Sequence, residues 1–191
     1  MLHRQSVVRA VSALERRGIP YMLTGSTVSS LQGAPRSTHD IDVVVELSWR
    51  DFHALLEEFA PPRYDLNEAA AQSAMRAPSG SAMFNAIDND TGFKIDFWLL
   101  LEDAFDLSRF SRRRPVDWQG TTIIVSSPED SILQKLRWSA LGGGSERQRD
   151  DVRRMLQVQS STLDLQYLGR WSHRLGVAAD LDRLMSGIGE G

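Results

Sequence analysis

LTGSTVSSLQGAPRSTHDIDVVV, residues 23–45, is the stretch from which the rest of the chain is read. Leu23 and Thr24 close a short apolar run that begins at Tyr21, and Gly25-Ser26 ends it with a small, turn-forming pair. TVSSLQGA then suits a short helix whose N-terminus faces that glycine. Residues 40–47, DIDVVVEL, are dense in β-branched side chains and read as a buried strand. Side chains alternate across a strand, so Asp40 and Asp42 project from one face while Ile41 and Val43 project from the other.

Upstream, Val8, Val11 and Leu14 recur at helical spacing before the breaker Gly18-Ile19-Pro20. Downstream, Ser48 caps a helix whose Phe52, Leu55, Leu56 and Phe59 share one face, ended by Pro61-Pro62. A short helix is expected over residues 68–75 and a loop at Pro78-Ser79-Gly80. FKIDFWLL, residues 93–100, is the next strong strand, and the turn over residues 88–92 makes it a hairpin partner of residues 83–87. A strand at 121–125 precedes Ser127-Pro128-Glu129-Asp130, where serine caps, proline enters the first turn and the acids suit the helix dipole. That helix should run to Ala140, followed by the glycine turn at 142–144. Helices then carry Val152, Met155 and Leu156 and the stretch 163–185, and GIGEG frays at the end. The fold class expected is α/β (α+β): a small mixed sheet flanked by helices. Residues 1–126 would form the core and 127–191 a helical C-terminal part packed on it.

Asp96, in the KID of the later strand, shares a face with Lys94 and Trp98 and repeats the geometry of Asp40 and Asp42. If the two strands are neighbours, three carboxylates converge. Oxygen ligands of this kind suit Mg²⁺, and two such ions about 4 Å apart activate an attacking hydroxyl and stabilise leaving pyrophosphate. Without a cation the crowded carboxylates would repel one another and resist ionisation. At Gly25-Ser26, the small residue lets backbone N–H groups approach a phosphate and the hydroxyl donates a further bond.

Taken in order, a strand ending in Gly-Ser, a helix, a DxD strand and a later apolar strand with one central acid resemble the signature of the polymerase-beta nucleotidyltransferase superfamily. SPEDSILQKLRWSALGGGSERQRDDVRRML, residues 127–156, is similar to the helical segment of bacterial proteins related to AbiEii and MenT toxins. The resemblance implies the nucleotidyltransferase fold and transfer of a nucleoside monophosphate from an NTP to an acceptor hydroxyl. It gives Asp40, Asp42 and Asp96 as catalytic residues holding two Mg²⁺ ions, with Mn²⁺ able to substitute. It gives Gly25, Ser26, Arg36, Lys135 and Asp151 as nucleotide-binding residues. Asp150 is an alternative to Asp151 depending on helix phase, and Arg147 four residues earlier favours Asp151 through a same-face pair. The acceptor implied is tRNA, a protein side chain or a small hydroxylated molecule such as an aminoglycoside, and kinship with toxins would add an antitoxin partner. Thirteen residues separate Ser26 from Asp40, more than is common among those toxins.

Composition narrows the alternatives. With no cysteine and four scattered histidines, thiolate and zinc-cluster sites are excluded, so a metal must be held by oxygen. The basic residues number 22, yet Lys94 and Lys135 are the only lysines and both lie inside these motifs. A net charge of −3 gives no general attraction for a polyanion. No run of about 18 apolar residues and no signal-peptide pattern is present, so a cytoplasmic location without membrane contact is expected. Neither a GxxxxGK[ST] loop nor a Gly-x-Ser-x-Gly elbow occurs. His39 and Trp98 read as packing residues, with a base-stacking role the alternative for Trp98; Arg112, Arg113 and Arg114 read as the guard of a strand edge, with a hold on a nucleic-acid acceptor the alternative. The rival readings are a catalytically silent nucleotidyltransferase-like module that binds nucleotide or a partner, and an unrelated α/β domain whose acids sit at strand ends.

Overall fold

The computed structural model describes residues 2–77, 82–142 and 144–187. The Pro78-Ser79-Gly80 loop, Gly143 of the glycine turn and residues 188–191 of the frayed end lie outside the described residues. The chain divides into two compact units: residues 1–27 with 37–125, and residues 28–36 with 126–191.

Among the described residues seven strands form one sheet, and all belong to the first unit. They are β1 (Tyr21–Thr24), β2 (Asp40–Val45), β3 (Tyr64–Leu66), β4 (Met83–Asp88), β5 (Lys94–Leu99), β6 (Arg114–Trp118) and β7 (Thr121–Val125). The sheet order is β3-β4-β5-β2-β1-β7-β6. β5 and β2 run parallel, as do β1 and β7, and the other neighbours are antiparallel, which makes the expected mixed sheet. Helices α1 (Leu2–Arg16), α3 (Trp49–Glu58), α4 (Glu68–Arg76) and α5 (Ala104–Ser111) accompany it. The 83–87 segment and the KID strand form the hairpin that the turn chemistry predicts, with Phe84 opposite Phe97.

Alternation decides the two faces. Ile41, Val43 and Val45 of β2 and Ile95 and Phe97 of β5 are buried on one face. There Phe59 meets Phe97 edge-on at 4.9 Å and Phe52 meets Phe84 at 6.2 Å, so α3 covers that side. Burying each such ring contributes roughly 1.5–3 kcal/mol. Ser48 holds α3 at its start by a full capping box with Asp51. On the other face Met22, Val44 and Phe110 form a small apolar cluster with Trp98 and Leu100 against it. Further along that same face the side chains turn to charge: Asp42, Asp40, Asp96 and Lys94.

α2 (Gly25–Leu31) begins in the first unit, and from Val28 onward its residues belong to the second. There Gln32 donates to the carbonyl of Ser126 at 2.8 Å, Gln159 donates to the carbonyl of Gln32 at 3.2 Å, and Gly33 lies against Val158. The rest of that unit is helical: α6 (Pro128–Leu141), α7 (Glu146–Gln159), α8 (Leu165–Arg174) and α9 (Ala178–Ser186). Ser127 caps α6 as the sequence predicts, accepting from the N–H of Asp130. The hydroxyl of Tyr167 donates to Asp130 at 2.7 Å, tying α8 to that cap. Among the described residues no helix is long and apolar enough to cross a membrane.

Three elements had no counterpart in the sequence reading: β3, α5 and β6. β3 is three residues long and pairs at the sheet edge, too short to show a period. β6 carries Arg114, Pro115 and Asp117 on an exposed edge, so it lacks the apolar alternation that marks a strand. Its start at Arg114 agrees with the edge-guard reading, while Arg113 folds back over the ring of Phe110 at 4.0 Å.

Candidate functional site

The residues singled out by sequence fall into two groups, one in each unit. In the first unit the parallel pairing of β2 and β5 sets Asp40 beside Lys94 and Asp42 beside Asp96 in register. Because register partners share a face, the four charged side chains form a two-by-two array. All four lie where β2 and β5 begin. The antiparallel pairing of β1 and β2 adds Thr24 opposite Asp42, which brings the Gly-Ser turn to the same place.

Gly25 has φ +67°, a conformation side chains disfavour, and it also lies against Asp42. A Cβ on Gly25 would stand 1.9 Å from Oδ2 of Asp42 and 2.6 Å from its Cγ. Glycine is therefore required twice, by backbone angle and by space. On its other side the Asp42 carboxylate accepts a hydrogen bond from Nε1 of Trp98 at 3.2 Å. Ser26 follows, buried.

Asp96 is 5% exposed and its Oδ1 is buried with no hydrogen-bond partner. Its Oδ2 lies 3.0 Å from the Lys94 ammonium, which also stands 3.5 Å from Oδ1 of Asp40. Burial raises the Asp96 carboxyl above the usual carboxylate range; the Lys94 hydrogen bond and charge lower it, the Asp40 charge raises it, and burial prevails. The Lys94 ammonium is held above its ordinary value, chiefly by the hydrogen bond to Asp96 and against the opposing effect of burial.

Among the described residues no group of three His, Asp or Glu side chains is placed to hold a metal ion. The Lys94 ammonium lies between Asp40 and Asp96 and supplies a positive charge to both. The donor chemistry nevertheless fits a hard divalent ion: every candidate ligand is a carboxylate oxygen, and one of them, Oδ1 of Asp96, is buried with nothing to bind.

The second unit joins Arg36, Lys135 and Asp151. Lys135 on α6 donates to Asp151 of α7 at 2.7 Å and to Gln148 at 3.2 Å, and Nε of Arg36 lies 3.6 Å from the same Asp151 carboxylate. Lys135 and Asp151 are each 7% exposed. Helix phase thus separates the adjacent acids: Asp151 turns inward, while Asp150 lies on the surface with Arg153. The expected partner of Asp151, Arg147, is exposed, and Asp151 pairs with Lys135 and Arg36.

His39 stacks on Phe93 at 5.7 Å, in keeping with a packing role. Trp98 packs against the Met22–Val44–Phe110 cluster, as the sequence reading has it, and also donates to Asp42. Lys94, Trp98 and Gln148 are the site residues that sequence reasoning left out. The signal for the first two was present, because both alternate onto the face of Asp96. Gln148 became visible only when α7 took its place against α6.

No family model and no curated protein matches the sequence. Solved structures do match the fold. ANT(2″)-Ia in complex with adenylyl-2″-tobramycin is 11% identical, with a TM-score of 0.63 over 92% of this chain and 97% of that one. The lincosamide antibiotic adenylyltransferase LnuA, lincomycin-bound, is 10% identical, with a TM-score of 0.56 over 81% of this chain and 96% of that one. An antigenic nucleotidyltransferase-like protein from Paracoccidioides brasiliensis is 17% identical, with a TM-score of 0.54 over 94% and 91%. The chain has the fold of nucleotidyltransferases.

Proposed function

We propose that this protein is a metal-dependent nucleotidyltransferase that moves a nucleoside monophosphate from an NTP to the hydroxyl of a small molecule. The observation that carries this reading is the in-register pairing of Asp42 with Asp96, with Gly25 pressed against Asp42 and one oxygen of Asp96 left without a partner. A buried carboxylate oxygen with no hydrogen-bond partner, such as Oδ1 of Asp96, is costly unless a cation serves it.

Asp40, Asp42 and Asp96 would hold two Mg²⁺ ions, or Mn²⁺ in their place, which when bound neutralise the triphosphate and stabilise departing pyrophosphate. Asp96 receives the proton of the acceptor hydroxyl on a carboxylate oxygen. The hydroxyl oxygen bonds to the α-phosphorus as the bond to pyrophosphate breaks. Gly25 lets the backbone approach the triphosphate and Ser26 donates to it. Trp98 fixes the Asp42 carboxylate. Arg36 and Lys135 offer cationic groups for phosphate, and Asp151 orients Lys135.

A small hydroxylated acceptor is favoured by fold kinship with proteins seen bound to an adenylylated tobramycin and to lincomycin. A net charge of −3 offers no general pull on a polyanion such as RNA. The test is incubation with each α-³²P-labelled NTP, Mg²⁺ or Mn²⁺, and fractionated cell extract, beside Asp42→Asn. Label appearing in a small-molecule fraction with the wild type alone is the expected result. Label on tRNA would replace this acceptor with the toxin reading and its antitoxin partner. Equal transfer by Asp42→Asn would remove the mechanism.

A further inference from the structure

The charged array contains one member that the proposed chemistry does not use. Lys94 opens β5 in register with Asp40, shares a face with Asp96 two residues on, and places its ammonium 3.5 Å from one carboxylate and 3.0 Å from the other. Its side chain is 37% exposed, so it has a route to solvent, whereas Asp96 is held inside at 8%. A lysine stem is long and rotatable, and its head is a compact, strongly hydrated charge that water readily accepts.

We infer that Lys94 is a built-in counter-ion: it neutralises Asp40 and Asp96 in the metal-free protein, competes with the divalent cation for them, and turns out to solvent when the cation binds. The inference rests on the reading of these acids as metal ligands. Three considerations support it. The ammonium bridges the two acids that flank the array diagonally, where a cation shared by both must also sit. It contacts Oδ2 of Asp96 and leaves Oδ1 without a partner, so the carboxylate is served on one side only. Finally, a positive charge within about 5 Å of a divalent ion opposes its binding even at high effective dielectric.

Two consequences follow from this geometry. Removing the lysine charge takes away a competitor, so divalent binding tightens. It also leaves the acids without their counter-charge when no metal is present, so the metal-free fold loses stability and becomes more dependent on the ion. A lysine that serves only as an ion-pair partner also lowers the metal-free melt when removed, but does not tighten metal binding.

The experiment is titration of Mn²⁺ alone into the full chain by isothermal calorimetry, with thermal melts before and after metal. The proteins are the wild type, Lys94→Met, Lys94→Arg and Asp96→Asn. Lys94→Met is expected to bind Mn²⁺ about tenfold more tightly than the wild type, as expected from one charge removed near the ion. It should melt lower than the wild type without metal and show the larger rise with it. Lys94→Arg, which keeps the charge, should bind like the wild type. Unchanged or weaker binding by a folded Lys94→Met overturns the inference, as does an equal gain in Lys94→Arg, which would trace the effect to shape. Asp96→Asn separates this failure from that of the underlying reading: if it binds Mn²⁺ as well as the wild type does, Asp96 is no ligand and both fall.

Discussion

Replacing Gly25 with alanine should cripple the site and weaken the fold, and the size of each effect can be worked from two neighbouring facts. The backbone at Gly25 has φ +67°, where an L-residue with a Cβ costs about 1–2 kcal/mol relative to glycine. The added carbon would meet Asp42 Oδ2 at 1.9 Å, Cγ at 2.6 Å and Cβ at 2.9 Å, so Asp42 must move. Moving it breaks the bond from the Trp98 indole, which as a hydrogen bond to a charged group is worth about 1.5–3 kcal/mol. The sum is roughly 2.5–5 kcal/mol, and at about 2–4 °C per kcal/mol for a chain of this size the melting temperature should fall by about 5–20 °C. Gly18→Ala is the control, since Gly18 has nearly the same angle, φ +65°, and nothing within 4 Å of the new carbon. It should cost only the first contribution. Urea unfolding of both variants isolates the clash as their difference, and nucleotide transfer should disappear in Gly25→Ala alone. If the two variants lose the same stability and Gly25→Ala still transfers, Asp42 does not depend on the space that glycine leaves.

Two further outcomes are expected. Asp88 is fully buried beside Arg9 at 2.6 Å, with Arg9 one-third exposed; burial raises its carboxyl, but the Arg9 hydrogen bond and the N–H of Asp90 outweigh this and hold it below the usual carboxylate range. The stability from this depressed value is present above the ordinary carboxylate range and is lost as pH falls through the lower folded value, so Arg9→Ala should cost about 2 kcal/mol at neutral pH, discounted for exposure, and progressively less in strong acid when unfolding is followed against pH. In the helical unit, Lys135→Met should cost about 3 kcal/mol by leaving Asp151 buried with less compensation. Adding Asp151→Asn should recover part of that, while Asp150→Asn, on the surface, should change little in the same denaturant titration.

Much of this could be read from sequence because local chemistry and tertiary need agree. Residues 21–24 and 121–125 are strands from end to end as predicted, and the two serine caps, Ser48 and Ser127, start their helices where expected. The fold class and its mixed sheet were legible for the same reason. The choice between Asp150 and Asp151 was not, because adjacent residues on a helix are separated by a rotation that only packing against α6 can fix. Trp98 was read as packing alone, and its bond to Asp42 was missed. On its strand face the apolar cluster and the charged array are consecutive, so one indole packs with its carbon edge and bonds Asp42 with its N–H.

That continuity explains why the carboxylates sit where they do. β2 and β5 are far apart in sequence, yet they pair in parallel at the middle of the sheet, where both faces of a strand are normally apolar. Burial along β2 rises from an exposed Asp40 through a half-buried Asp42 to a buried run, 43–45. The charges are confined to the first turn-proximal residues of each strand, and β1, running antiparallel to β2, delivers Gly25 to that same end. An acid placed two residues further along either strand would lie within the Met22–Val44–Trp98 cluster, without water or Lys94 to serve it. The positions open to a carboxylate array on this face are therefore few, and the chain fills three of them with aspartate and the fourth with lysine. With a lysine at the fourth position, the response of the Lys94 variants to Mn²⁺ is the sharpest division between a site built for metal and a row of acids at the end of a sheet.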